Sequence, residues 1–132
     1  MPQNPRKILA VVDDLFFVVK INDAARRAGM VAEFLKSAHD LVERALAEQP
    51  TMIVIDLNCN SLAPVPLIEM LRSKPELKNV SVIAFVSHIQ GELKMQAQNA
   101  GADMVLARSA FSLNLPQILR RHAGMGGMAR PA

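Results

Sequence analysis

Five short apolar runs punctuate the chain: KILAVV (7–12), MVAEFL (30–35), TMIVID (51–56), VSVIAFV (80–86) and MVLA (104–107). Their length and β-branched or aliphatic make-up suit strands better than helices. Several lack polar alternation, as expected of parallel strands covered on both faces. Between them apolar residues recur at helical spacing: Val18, Ile21, Ala25 and Ala28; Ala38, Leu41, Val42, Ala45 and Leu46; Leu67, Ile68 and Leu71; Leu93, Ala97 and Ala100; then Leu115, Ile118 and Leu119. Each set forms one stripe along a helix. Gly29 and Gly101 stand where the first and fourth helices need a left-handed C-terminal residue, Ser37 can cap the second helix, and Pro50 precedes the third strand. Strand and helix thus alternate five times, which predicts an α/β fold: a five-stranded parallel sheet, doubly wound as (βα)5, with right-handed crossovers. No linker or repeat interrupts the pattern, so one domain is expected over residues 1–132, with its core at about 6–122 and a flexible tail at 123–132, where GMGGMARPA is rich in glycine.

Composition narrows the function. Hydrophobic residues make up 51% of the chain and charged residues 20%, enough for one aliphatic core. Tyr and Trp are absent, only five Phe occur, and the basic residues behind the net charge of +3 are scattered. Neither an aromatic platform nor a phosphate-tracking stripe for nucleic acid is legible. The start MPQNPRK has no apolar leader, and no run is long enough to span a membrane, so a cytoplasmic protein without a membrane partner is expected. The lone Cys59 excludes an internal disulfide, fits a reducing compartment and reads as a passive loop thiol.

In open parallel sheets function gathers at the carboxyl ends of the strands. Asp13 and Asp14 end the first run and Asp56 ends the third. Three carboxylates converging there repel one another, and a divalent cation would relieve the repulsion; oxygen-only donors suit Mg2+. Taken singly, Asp13 or Asp14 reads equally well as the cap of the first helix.

With ILAVVDD, IVIDLN beginning at Ile53, LIEMLR ending at Arg72, VIAFVSH and AGADMVLARSAF, the chain resembles receiver domains of two-component response regulators, the flavodoxin-like module of chemotaxis regulators, across residues 6–122. The resemblance implies strand order 2-1-3-4-5 and a role in phosphorelay signal transduction. Asp56 would be the phosphoacceptor, and Asp13, Asp14, Asp56 and the backbone carbonyl of Asn58 would hold Mg2+. Partners would be a histidine kinase or phosphotransfer protein and a downstream protein. The only chemistry would be the domain's own phosphorylation and dephosphorylation, so the chain is not expected to be an enzyme with a separate substrate.

Several positions depart from that family. Val86 stands at the switch position where a hydroxyl is usual, and adjacent Ser87 could replace it only if the strand end slipped by one residue. Arg108 stands at the lysine position, able to pair with Asp56 or with a phosphoryl oxygen. Val105 replaces a common aromatic, and Asn60 and Pro64 alter the loop after Asp56. His39, His88 and His122 show no metal-ligand spacing, although His88 would border the pocket. Phe16, Phe17, Val18 and Val19 carry more apolar surface than one stripe needs, as extra core or as a partner surface. The alternative reading is therefore a phosphorylation-independent interaction module. Haloacid-dehalogenase phosphatases separate their two acids by one residue, and dinucleotide binding needs a glycine-rich turn; VVDDLFF meets neither requirement.

Overall fold

The computed structural model describes residues 6–59, 63–87 and 91–121. The expected tail, Asn60, His88 and His122 lie outside the described residues. Five strands, β1 (Arg6–Val11), β2 (Met30–Phe34), β3 (Met52–Asp56), β4 (Ser81–Val86) and β5 (Met104–Ala107), alternate with α1 (Leu15–Arg27), α2 (Ala38–Glu48), α3 (Pro64–Arg72), α4 (Gly91–Ala100) and α5 (Arg108–Leu119). The strands form one parallel sheet in the order β2-β1-β3-β4-β5. Among the described residues no helix is long and apolar enough to cross a membrane.

Alternation along the strands divides the core in two. Leu9, Val11, Ile53, Ile55, Val82, Ala84 and Val86 pack with Leu41, Ala45, Leu67, Ile68, Leu71 and Ala97 of α2, α3 and α4. Ile8, Ala10, Met52, Val54, Ile83 and Phe85 pack with Phe17, Ile21, Ala25, Phe111, Leu115 and Ile118 of α1 and α5. A period-two strand has two faces, and here both are apolar because both are covered.

The stripe of α1 is Phe17, Ile21 and Ala25, one residue off the expected start, with Val18 only partly buried and Ala28 exposed. Shifting the stripe buries a phenyl ring in place of a valine. Phe17 stacks on Phe85 at 4.9 Å between ring centroids, and Phe85 stacks on Phe111 at 4.6 Å. The extra apolar surface of α1 therefore splits: Phe17 is core, whereas Leu15, Phe16 and Val19 are 70%, 63% and 65% exposed.

The expected stops recur as geometry. Ser37 Oγ accepts from the Asp40 backbone N–H at 3.0 Å, and Gly29 and Gly101 adopt positive φ. Pro64 opens α3, where its missing N–H costs no intrahelical bond.

At the amino-terminal edge of the sheet, opposite the aspartates, Arg72 ties α3 to the α4–β5 turn. Its Nε donates to the Gly101 carbonyl at 2.8 Å, and one terminal nitrogen donates to the Leu77 and Val80 carbonyls at 3.1 and 2.8 Å. The other terminal nitrogen meets Asp103 Oδ2 at 2.7 Å, and the same oxygen accepts from the Val82 N–H. AGAD is thus a turn built to receive this arginine.

Candidate functional site at the carboxyl edge of the sheet

Parallel register decides which side chains meet. Val11 stands beside Ile55 and Asp56 beside Phe85, so the residues following β1, β3 and β4 emerge at the same edge. Asp13 and Asp14 lie in the β1–α1 connection, Asp56 ends the central strand, Ser87 follows β4, and Arg108 begins α5 directly after β5.

Asp56 is 6% exposed, and its Oδ1 accepts from the Asn58 backbone N–H at 2.9 Å. Burial pushes its carboxyl above the ordinary aspartate range. The Asn58 hydrogen bond and the charge of Arg108 oppose that rise, while the negative charges of Asp13 and Asp14 add to it. An ionised Asp56 therefore works against folding. Its folded-state affinity for a proton exceeds its unfolded one, so stability should increase as pH falls through the raised value toward 3.8, the unperturbed one. Asp56→Asn is accordingly expected to raise the urea midpoint at neutral pH; an unchanged or lower midpoint would contradict this.

Asp14 carries two duties. Its Oδ1 caps α1 by accepting from the Phe16 N–H at 2.9 Å, and its Oδ2 is bound by the guanidinium of Arg108. The arginine thus pairs with the acid after β1 and reaches Asp56 only through its field. Its Cζ also lies 4.7 Å from the centroid of Phe17, a cation–π contact. Asp13 takes a different partner, accepting from the Cys59 thiol at 3.1 Å. Cys59 is buried, so the loop thiol sits against the Asp13 carboxylate.

The two strand ends are strapped together by Asn58, whose side-chain oxygen accepts from the Ser87 N–H at 2.6 Å. Sequence reasoning had a use only for the Asn58 carbonyl; a polar residue two positions past a buried acid was the available hint of a strap. Val86 is buried in the α2–α4 side of the core and Val105 packs in the same cluster. The β3–β4 and β4–β5 ladders run regularly, with Val86 beside Ala107, which leaves Ser87 one residue past the paired strand. His39 lies on the exposed face of α2, 3.2 Å from Glu43, far along the chain from the acids.

Whether these residues suit a divalent cation is a matter of donors. Among the described residues no group of three or more His, Cys, Asp or Glu side chains stands together as a metal-ligand set. Asp14 has a guanidinium on it, which leaves Asp13 and Asp56 as the carboxylates without a cationic hydrogen-bond partner in the hydrogen bonds described above. A small hard dication needs only one or two protein carboxylates and completes its shell with water. Asp13 and Asp56 are oxygen donors of the kind Mg2+ takes, but among the described residues they do not form a ligand set for it.

No protein-family model matches the chain, and no curated protein matches it. Solved structures do. The chemotaxis response regulator CheY4 of Vibrio cholerae is similar over 89% of this chain and 98% of its own, with a TM-score of 0.77 at 19% identity. A CheY-like receiver domain protein from Methanospirillum hungatei JF-1 is similar over 89% of this chain and 93% of its own, with a TM-score of 0.77 at 17% identity. The Mn2+-bound form of response regulator Rcp1 is similar over 97% of this chain and 100% of its own, with a TM-score of 0.74 at 15% identity. The chain has the receiver-domain fold of response regulators.

Proposed function

We propose that the chain is a receiver module of phosphorelay signal transduction, with Asp56 as phosphoacceptor and output through contact with another protein. The observation that carries this reading is the placement of Asp56: a buried carboxylate at the end of the central strand of a receiver fold, with two further acids within electrostatic reach. An Asp56 oxygen would form the bond to phosphorus as the bond from phosphorus to the donor's leaving atom breaks, the electron pair departing with that atom. The Asn58 N–H orients the carboxylate by holding its other oxygen. Asp13, Asp14, Asp56 and the backbone carbonyl of Asn58 are the residues that would hold Mg2+, as the resemblance implies. A cation held there would supply positive charge to offset the negative charge developing on the transferred oxygens. Ser87 carries the hydroxyl at the β4 end, where Val86 has none.

The test is incubation with Mg2+ and acetyl phosphate followed by intact mass measurement. One phosphoryl group is expected on the wild type and none on Asp56→Asn. A wild type that stays unmodified, with amide spectra around Asp56 unchanged by beryllofluoride, would sink the reading.

A second reading is favoured by the Arg108–Asp14 pair together with Val86: an interaction module that signals without phosphorylation. It requires Asp56→Ala to retain both partner binding and signalling. Loss of signalling with binding intact would refute it.

A further inference from the structure

Helix α1 has two faces of different character. Phe17, Ile21 and Ala25 are buried against the sheet, whereas Phe16, Lys20, Asp23 and Arg27, at steps of three or four residues, form a second stripe on the solvent side. The amino-terminal end of that stripe is an apolar ridge in which Leu15, Phe16 and Val19 stand out together. Its carboxyl-terminal end borders a groove of about 700 Å3 between α1 and α5, lined by Ala24, Leu113, Leu115 and Pro116. Leu113 is 80% exposed, so the groove is apolar to its rim. Lys20 and Asp23 border both ridge and groove, and the two are continuous across them.

Within one chain the charges of this stripe have weak partners. Arg27 Nε meets Asp23 Oδ2 at 3.1 Å with both side chains mostly exposed, and Lys20 Nζ lies 6.0 Å from the centroid of Phe16. Pairs of this kind, one helical turn apart and open to water, contribute little. A second α1 turned end for end offers the same groups better ones. When two such helices cross antiparallel about a two-fold axis between Lys20 and Asp23, Lys20 faces the second copy's Asp23, Arg27 faces its Phe16 ring and Val19 faces its Ala24, each contact occurring twice. The same axis lays the ridge of each copy at the groove end of the other. A partner without this sequence would have to supply both a groove for the ridge and a ridge for the groove.

We infer that the outer faces of α1 and α5 bind a second copy of the chain, forming a two-fold symmetric dimer in which each ridge fills the other copy's groove. Exposed apolar side chains gathered in one patch mark an interaction surface, and an isologous contact covers such a patch with itself. This dimer needs neither metal nor phosphoryl group, so it stands apart from the chemistry at Asp56.

Sedimentation velocity on the full chain tests it. The wild type is expected to pass from monomer to dimer with a dissociation constant on the order of 10 μM, and a wild type still monomeric at roughly 1 mM would overturn the inference. Phe16→Ser should weaken association about tenfold while leaving the urea midpoint unchanged, because Phe16 lies outside the core. Lys20→Glu sets a carboxylate against the second copy's Asp23, and Asp23→Lys sets an ammonium against its Lys20, so each variant alone should stay monomeric where the wild type is half dimeric. Mixed in equal amounts, the two should form a heterodimer, since one charge pair is then as in the wild type and the other is restored with its sign reversed. A dimer untouched by these substitutions, or a mixture that stays monomeric, would overturn the inference. So would a monomeric wild type whose Phe16→Ser variant accepts phosphoryl from acetyl phosphate but no longer from a histidine kinase, because the face would then belong to a phosphodonor protein. A monomer that is phosphorylated on Asp56 would sink the dimer alone, and a dimer that is not would sink only the reading of Asp56.

Discussion

Phe85→Ala should destabilise the fold by about 3–5 kcal/mol, read as a drop in the urea midpoint at unchanged slope. Phe85 is fully buried on β4 and stacks on two partners, Phe17 of α1 and Phe111 of α5, at 4.9 and 4.6 Å. Truncation removes the ring from the middle of this stack. The helices on either side are anchored by many other contacts and can close the void only in part, so a cavity cost adds to the lost burial. Domains of this kind have roughly 5–15 kcal/mol in total, so the variant should be close to unfolding under mild heat. Phe85→Leu should recover more than half of the loss, because it refills most of the volume without the stacking. A loss below about 1.5 kcal/mol for the alanine variant would mean that the stack is not a structural unit.

The second large effect is expected from Arg72→Met, which keeps most of the aliphatic stem and deletes the guanidinium. A loss of about 2–3 kcal/mol is expected, since the change strands the Gly101 and Val80 carbonyls, leaves the Leu77 carbonyl only its Val80 N–H, and removes the cation beside the exposed Asp103. Arg72 and Gly101 are coupled by close approach as well as by a hydrogen bond. A methyl group on Gly101 would stand 2.3 Å from Arg72 Cγ, and its φ of +123° is one that side chains other than glycine's rarely adopt. Gly101→Ala should therefore be severe by itself. Combined with Arg72→Ala it should cost less than the sum of the two, because the clash needs both residues while the backbone strain needs only one. Strict additivity in denaturant titrations would refute the coupling.

These two sites illustrate how unevenly the molecule can be read from its sequence. The central strands β3 and β4 are legible because a strand buried on both faces must be apolar throughout, and VSVIAFV leaves no other use for itself, whereas the partly exposed edge strands β2 and β5 are legible from their β-branched and aliphatic make-up. Helix ends are legible at Gly29, Ser37 and Gly101 because one residue's own conformational preference or hydroxyl decides each. The burial stripe of α1 was less legible. Leu15, Phe16, Phe17, Val18 and Val19 form an unbroken apolar run, and period alone cannot choose a face from it. Phe17 goes inward because Phe85 and Phe111 are there to meet it.

At the site the same division holds. Asp13, Asp14 and Asp56 can be picked out from the ends of the first and third apolar runs, whereas Arg108 is legible only through the resemblance to receiver domains, which carry a lysine there. What each acid binds is not written in any local pattern. Asp14 holds Arg108 from 94 positions away, Cys59 reaches Asp13 from 46 positions away, and Asn58 reaches Ser87 from 29 positions away. The chain by itself determined a doubly wound parallel sheet and the edge at which its acids gather, since both follow from the period and termination of apolar runs. Only the tertiary structure decided that Arg108 pairs with Asp14 and that Asn58 straps β3 to β4. Those partners are chosen by sheet register and helix placement, which bring together side chains that no local rule relates.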